Sequence, residues 1–189
     1  MKAKTKGGDD AVSRREPGKR GIPLAGAPAP GLDQERPFDL YETPGYLVRR
    51  LHQIVVSLCY EQWGDIAISP PQYAALMAVR AYPGIDQRGL SRAIAIDRSS
   101  IGAVSEQLER RGLIERRTGT RDKRNKELFL TAAGAALLRR AQPIAWEIQE
   151  RLLQVLEKRE RADFVRLLTK MVERNNDLSR APMDRTGFE

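Results

Sequence analysis

Cations and hydroxyl groups suited to contacting nucleic acid follow directly after Asp97. Asp97 can N-cap a helix, which places Arg98 and two serines on the first turn of that helix. An arginine there can donate two hydrogen bonds to guanine, and a serine hydroxyl can contact a base or a phosphate. The residues that we expect on the exposed, DNA-contacting side of this helix are Arg98, Ser99, Ser100, Gly102 and Ser105.

A second basic cluster lies in a predicted hairpin immediately downstream. Residues 113–117 and 126–130 have the pattern of two short strands, and a polar tip separates them. A helix for the major groove beside a charged ribbon for the minor groove is an arrangement that reads duplex DNA. The alternative is a solvated basic hairpin. The hairpin residues that we expect to contact DNA are Arg116, Arg121, Asp122, Lys123 and Arg124. Arg117 and Lys126 should add positive charge near the DNA backbone.

A third set of residues could form a site for a small anion. His52 is the only histidine in the chain and could bind a carboxylate, although a lone histidine is more often structural. Arginines could bind the carboxylate of an aromatic ligand, and aromatic side chains could wall its pocket unless they belong to the core. The candidate ligand-binding residues are Tyr46, Arg49, Arg50, His52, Tyr73, Met77 and Arg80, and the aromatic wall could also include Tyr60 and Trp63.

The chain offers little support for catalysis. Its single cysteine, Cys59, excludes an intrachain disulfide. Apolar neighbours at residues 56–60 favour a small buried side chain over a redox sensor at this position. Phosphate-loop, dinucleotide-binding and zinc-protease motifs are missing from the sequence. We therefore expect neither an enzyme nor a bound metal or cofactor.

Short helices with clear start signals must position the candidate DNA-contacting residues. Ser69 and Gln72 form a capping box, and Asp86 and Asp97 each cap one further helix. A tight turn near residues 95–96 joins the last two helices. Two short helices joined in this way predict a helix-turn-helix module.

Longer helices flank this module. Thr43 begins the first of them, and Thr131 begins a long helix in which Pro143 should produce a kink. The apolar stripes of these helices exceed what so small a module can cover, so we expect them to pack against a second copy of the chain. The stripe of the last helix contains Phe164, Leu167, Leu168, Met171 and Val172.

The 189 residues carry a formal net charge of +8, which suits a polyanionic partner. We expect a disordered basic arm over residues 1–37, a folded domain over 38–178 and a flexible tail over 179–189. Within the domain, dimerisation helices should cover residues 44–64 and 132–177, and the DNA-reading module residues 69–131. No apolar run is long enough to span a bilayer, so we expect a cytoplasmic protein without a membrane partner.

Residues 44–171 resemble the MarR family of bacterial transcription regulators. The resemblance rests on the helix at residues 97–114 and on a wing in which Asp122 and Arg124 precede Leu128, Leu130 and the helix-capping Thr131. It implies a mainly α fold with a small β-wing, in which the N- and C-terminal helices of a winged helix-turn-helix domain form a homodimer base. It also implies that Arg124 enters the minor groove, oriented by Asp122, and that aromatic acids or phenols bind between base and module.

Residues 44–51 and 72–76 look more narrowly like repressors of nicotinate and aromatic-acid catabolism. This resemblance implies a repressor that a small aromatic acid, such as a hydroxylated nicotinate, releases from a palindromic operator. Two alternative interpretations also predict a DNA-binding protein. One is a non-specific DNA-compacting protein, and the other is a redox-responsive regulator that acts through Cys59. A protein-interaction module without DNA binding is a further alternative.

Overall fold

The computed structural model describes residues 39–119, 125–184 and 186. The predicted basic arm at 1–37 and the wing-tip residues Arg121, Asp122, Lys123 and Arg124 lie outside these ranges. The described helices are α1 (Pro44–Gln62), α2 (Pro70–Ala81), α3 (Gln87–Ala93), α4 (Arg98–Arg110), α5 (Ala132–Leu153) and α6 (Lys158–Arg174). The described strands are β1 (Ile85–Asp86), β2 (Ile114–Thr118) and β3 (Lys126–Leu130). A mainly helical chain with a small sheet confirms the predicted fold class.

Side-chain caps begin the helices where the sequence predicts them. The side chains of Thr43, Ser69, Asp86, Asp97 and Thr131 each accept a hydrogen bond from a backbone N–H in the first turn that follows. Ser69 and Gln72 form both bonds of the predicted capping box. These bonds satisfy N–H groups that have no partner within the helix. The helices of the predicted helix-turn-helix and the flanking helices α1 and α5 therefore start at the expected residues.

The sheet has one more strand than the sequence predicts. β3 lies between β2 and β1, and both pairings are antiparallel. Leu128 is opposite Ile85 in β1 and opposite Arg116 in β2. Because β1 is two residues long and leads directly into α3, this pairing joins the wing, formed by β2, β3 and the tip between them, to the helix-turn-helix.

A single core holds the helix-turn-helix, the wing and α5 together. The large, fully buried side chains of this core are Leu76, Val79, Leu90, Ile101, Leu108, Ile114, Leu128, Leu138 and Ile148. They come from α2, α3, α4, both long strands and α5, so they fix α4 against its neighbours. Burying each such side chain contributes roughly 1.5–3 kcal/mol to folding.

The apolar stripe of α6 faces away from this core. Val165, Leu167, Leu168, Met171 and Val172 are all exposed, and α6 contains no buried residue. On α1, Leu47, Val48 and Ile54 are exposed as well. The predicted surplus of apolar surface is therefore present on α1 and α6, whereas Leu138 and Ile148 of the α5 stripe are buried in the core.

The described part of the predicted C-terminal tail contacts α3. Asp184 donates its backbone N–H to the carbonyl of Arg92 at 3.0 Å, and its carboxylate lies 3.5 Å from the Arg92 guanidinium. The Asn176 side chain donates to and accepts from the backbone of Met183. In residues 39–119 and 125–184, no helix is long and apolar enough to cross a membrane.

Candidate DNA-binding surface

The first turn of α4 presents Arg98, Ser99 and Ser100 to solvent. The Asp97 carboxylate holds this turn in place, because its Oδ1 accepts the backbone N–H of Ser100 at 3.0 Å. The turn therefore offers one guanidinium and two hydroxyls on a rigid, capped helix end.

Asp97 also sets the direction of both serine hydroxyls. Ser99 Oγ donates to Asp97 Oδ1 at 2.6 Å, and Ser100 Oγ donates to Asp97 Oδ2 at 2.7 Å. These bonds, the Ser99 hydroxyl first among them, hold the pKa of Asp97 far below its usual value. With their hydrogens directed at Asp97, the hydroxyls offer lone pairs to a ligand. Lone pairs complement the amino groups of adenine and cytosine in the major groove.

A cleft of about 390 Å³ lies between the start of α3, the start of α4 and the wing. Four of its lining residues are cations, and one is acidic. The charge and the position beside the first turn of α4 suit a segment of phosphate backbone. The residues that line the cleft are Asp86, Gln87, Arg88, Arg98, Ile101, Arg116, Asn125, Lys126 and Leu128.

Of the cations in this cleft, Lys126 is one that we expect near the DNA backbone, whereas Arg88 is not among the residues predicted to contact DNA. A signal for Arg88 is present in the sequence, because it follows the capping Asp86 by two residues, as Ser99 follows Asp97. Lys126 begins β3 at the base of the wing, and its ammonium donates to the Thr118 hydroxyl at 3.0 Å. Both residues belong with Arg98 in the candidate surface.

Arg116 ties the wing to α4. Its Nε lies 3.0 Å from Glu109 Oε2, an ion pair without the angle of a hydrogen bond. Arg117 on the same strand stacks over the Phe129 ring at 4.5 Å and pairs with Glu115. Arg116 thus lines the cleft from a fixed position.

The expectation that Ser105 faces outward is wrong. Its side chain is fully buried and its hydroxyl has no hydrogen-bond partner among the described residues. Ser105 lies four residues after Ile101 and three before Leu108, which places it on the same buried side of α4. Gly102 is half-buried, and a Cβ there would lie 3.2 Å from the Gln87 side-chain nitrogen. Gly102 therefore sits where α3 and α4 meet.

Three of the predicted ligand-binding residues come together on α2. Arg80 donates to the Met77 sulfur at 3.1 Å and to Gln142 Oε1 on α5 at 3.3 Å. Burial raises the pKa of Tyr73, and the charge of Arg80 opposes that shift. The Tyr73 ring packs on Trp63 with centroids 4.8 Å apart. A cation beside a partly buried aromatic wall is thus present where α1, α2 and α5 meet.

The other four predicted ligand-binding residues lie on α1. The Arg49 guanidinium stacks over the Tyr46 ring at 4.9 Å. Arg50 donates to Gln53 at 3.1 Å, and His52 is exposed. No hydrogen bond described in the structure joins these residues to the group on α2. A second cleft of about 250 Å³ lies at the α1–α2 junction. Its lining includes Tyr60 and Trp63, two of the aromatic residues expected to wall a ligand pocket, and none of the other candidate ligand-binding residues.

The surroundings of Cys59 are those of a packed core side chain. The residue is buried, and burial raises the pKa of its thiol. A reactive sensor needs a stabilised thiolate, so these surroundings oppose redox chemistry. The described residues contain no group of three or more acidic, histidine or cysteine side chains that could hold a metal ion.

Comparison with known proteins identifies similar chains. The model of the MarR family matches residues 68–126. The transcriptional repressor NicR of Pseudomonas putida is 31% identical over 137 residues, which are 72% of this chain and 87% of NicR. The structure of Streptomyces coelicolor PcaV in complex with its natural ligand is 33% identical, with a TM-score of 0.65, and the match covers 73% of this chain and 97% of PcaV.

A further solved structure concerns the regulation of DNA binding of Bordetella bronchiseptica BpsR by 6-hydroxynicotinic acid. BpsR has a TM-score of 0.69 and 29% identity, and the match covers 72% of this chain and 97% of BpsR. The matches to NicR, PcaV and BpsR each cover more than two thirds of both chains.

Proposed function

The chain belongs to the MarR family of transcriptional regulators, and from that premise we propose that it is a repressor that an aromatic acid releases from its operator. The observation that carries the DNA-binding part is the exposed first turn of α4 beside a cationic cleft. On this proposal Arg98, Ser99 and Ser100 contact base edges in the major groove, while Arg88, Arg116 and Lys126 face phosphates.

The proposed wing contacts rest on the sequence. Arg124 reaches the minor groove with Asp122 orienting it, and Arg121 and Lys123 add positive charge near the phosphates. Gly102 allows α3 to approach α4 closely. Ser105 is not proposed to contact DNA, because its side chain is buried.

We propose that two copies of the chain bind as a homodimer. The exposed apolar stripes of α1 and α6 support this, since exposed apolar patches of this kind mark interaction sites. A two-fold dimer would place two α4 helices in successive major grooves, with half-site centres roughly 10 base pairs apart. The operator is therefore proposed to be palindromic.

The proposed effector is an aromatic carboxylate. NicR is named as a repressor, and BpsR is described as regulated by 6-hydroxynicotinic acid. Around Arg80, Tyr73 and Met77 provide an apolar and aromatic wall, and a carboxylate that leaves water needs a cationic partner. On α1, Tyr46, Arg49, Arg50 and His52 remain candidates for further ligand contacts.

The DNA-binding proposal is tested with duplexes that the wild-type protein selects from a random-sequence library. Arg98→Ala should weaken binding to a selected duplex by about 1–3 kcal/mol, because a base contact is lost. Arg110→Ala is the matched control, since Arg110 is exposed in the last turn of the same helix. Equal affinities of wild type and Arg98→Ala at physiological salt would contradict a base-reading role.

The effector proposal is tested by calorimetry with 6-hydroxynicotinate, nicotinate, benzoate and salicylate. At least one acid should bind, lower the affinity for the selected duplex and lose affinity in Arg80→Gln. Arg139→Gln is the control, because Arg139 is an exposed cation of α5. If no acid binds, or if binding leaves DNA affinity unchanged, the effector class is wrong and the DNA-binding proposal stands.

The same experiments distinguish the proposed repressor from a DNA-compacting protein. Such a protein would coat any duplex in a strongly salt-dependent manner and would yield no preferred sequence from the library. A selected palindrome with a large affinity advantage would exclude that alternative.

A further inference from the structure

The C-terminal end of α4 is held on one side by Arg111, the residue that ends the helix. Arg111 Nη1 donates to the Ala67 carbonyl at 2.7 Å, and Nη2 donates to the Ile66 carbonyl at 3.4 Å. Both carbonyls belong to the connection between α1 and α2. One guanidinium thus joins the helix that presents Arg98 to the connection that follows α1.

Gln72 extends this bridge into the buried part of α2. Its side chain is buried, its Oε1 lies 3.5 Å from Arg111 Nη1, and its Nε2 donates to Gln107 Oε1 on α4 at 2.8 Å. The same Oε1 accepts the Ser69 N–H of the capping box. We call the contacts of Arg111, Gln107 and Gln72 the α4 bridge.

The α1–α2 connection that accepts these bonds has an unusual backbone. Ala67 has a φ of 52° and a ψ of 48°, the left-handed region that residues with a Cβ rarely adopt. Such a conformation persists when its surroundings hold it. The bond from Arg111 to the Ala67 carbonyl is one of the contacts that do so.

The opposite side of the same helix end is held by α5. Thr131 Oγ1 donates to the Gly112 carbonyl at 2.6 Å, and the Thr131 N–H donates to the Leu113 carbonyl at 3.2 Å. The α1 and α5 helices also contact each other, through Trp63 and the Ala141 carbonyl and through Glu61 and Arg151. The end of α4 is thus fixed to the α1–α2 connection on one side and to the start of α5 on the other.

We propose that Arg111 is a positioning residue for DNA recognition, which fixes α4 relative to α1 and thereby limits the half-site spacing that a dimer accepts. This inference rests on the DNA-binding and dimer parts of the proposed function. Arg111 acts through Ala67, Ile66 and Gln72, without contacting DNA. Arginine suits the role because its planar fork donates to several acceptors at once, whereas a lysine offers a compact ammonium.

The test measures spacing discrimination, the ratio of affinities for a wild-type-selected duplex and for duplexes with one base pair added or removed between the half-sites. In Arg111→Gln this ratio should fall about tenfold, which corresponds to about 1.4 kcal/mol. Arg111→Lys should show an intermediate loss. Arg110→Gln, one residue earlier on the same helix, should keep the wild-type ratio.

Two further measurements separate positioning from other roles. The slope of log affinity against log salt should stay at its wild-type value in Arg111→Gln, because a lost phosphate contact would reduce the slope by about one. Gln107→Ala removes the 2.8 Å bond to Gln72 from an exposed position and should relax spacing in the same direction. If Arg111→Gln fails to fold, the spacing ratio of Gln107→Ala decides.

Unchanged spacing discrimination in folded Arg111→Gln would overturn the inference, as would a reduced salt slope. A wild-type protein that selects no duplex, or that binds as a monomer, would overturn the proposed function and this inference with it. If the wild-type protein discriminates between half-site spacings and the variants discriminate equally well, the role of Arg111 is overturned and the proposed function stands.

Discussion

At the scale of single residues, Asp97 has two roles in one carboxylate. It caps α4 through the Ser100 N–H, and it orients two hydroxyls that we propose to read bases. Its low pKa means that the charged form is the one the folded protein stabilises. Stability from this group is present above its unfolded pKa of about 3.9 and is lost as the pH falls towards the lower folded value.

Asp97→Ala is therefore expected to lower the melting temperature at neutral pH, with a difference from wild type that shrinks in acid below about pH 3.9. Thermal unfolding followed by circular dichroism across this range measures the effect. Asp97→Asn is the control, because it keeps a cap acceptor without the charge. A pH-independent difference between Asp97→Ala and wild type would show that the charge of Asp97 contributes nothing.

Individual side chains also show where sequence reasoning succeeds and where it fails. Five capping residues were predictable because a cap depends on short-range bonds that the local sequence specifies. The burial of Ser105 was predictable too, because its spacing from Ile101 and Leu108 places it on their side of α4, but its residue type suggested a polar, outward position. The contacts of Arg111 depend on residues about 40 positions away, which no local pattern reveals.

At the scale of elements, the start of α5 packs at Gly134 against Leu113, which precedes β2, and against Leu130 of β3. A Cβ at this position would lie 2.1 Å from the Leu113 carbonyl oxygen and 2.7 Å from Leu130 Cδ1. The first of these atoms belongs to the backbone and cannot move alone. Glycine therefore permits the close approach of helix and wing.

Gly134→Ala should destabilise the fold by about 1–3 kcal/mol, because the clash outweighs the better helix propensity of alanine. Urea unfolding of both proteins measures the difference. Gly45→Ala is the matched control in α1, where a Cβ meets nothing within 4 Å, and it should be neutral or slightly stabilising. Equal effects of the two substitutions would contradict the close approach at Gly134.

Elements differ in how much the sequence reveals of them. The helices and the two long strands have periodic patterns, so their bounds were predictable to within a few residues. β1 contains only Ile85 and Asp86, too few residues for any period, and it forms because β3 offers an edge. The packing of α1 and α2 decides which of the predicted ligand-binding residues lie close together. This packing is a tertiary property that no local sequence pattern specifies.

At the scale of the whole molecule, the exposed apolar residues of α6 need a partner. A helix whose face includes Leu167, Leu168, Met171 and Val172, with no buried residue, gains little from the rest of its own chain. Covering this face removes apolar area from water, at roughly 25 cal/mol per Å². A second copy is the occupant that we propose.

Leu168→Glu is expected to shift the protein from dimer to monomer at micromolar concentration, because a charge would be buried without a partner. Sedimentation velocity reports the mass directly. Arg166→Glu introduces the same side chain at an exposed position on the opposite side of α6 and should leave the dimer intact. A wild-type protein that sediments as a monomer would contradict the dimer proposal itself.

The buried thiol of Cys59 gives the molecule a natural probe of its own motions. Only 5% of this residue is exposed, and its raised pKa keeps the sulfur protonated. We expect a maleimide to react only when local opening of the core exposes the sulfur, so the labelling rate measures how often this part of the core opens. Because this chain has no other cysteine, mass spectrometry can time that opening with and without DNA, in the unmodified protein.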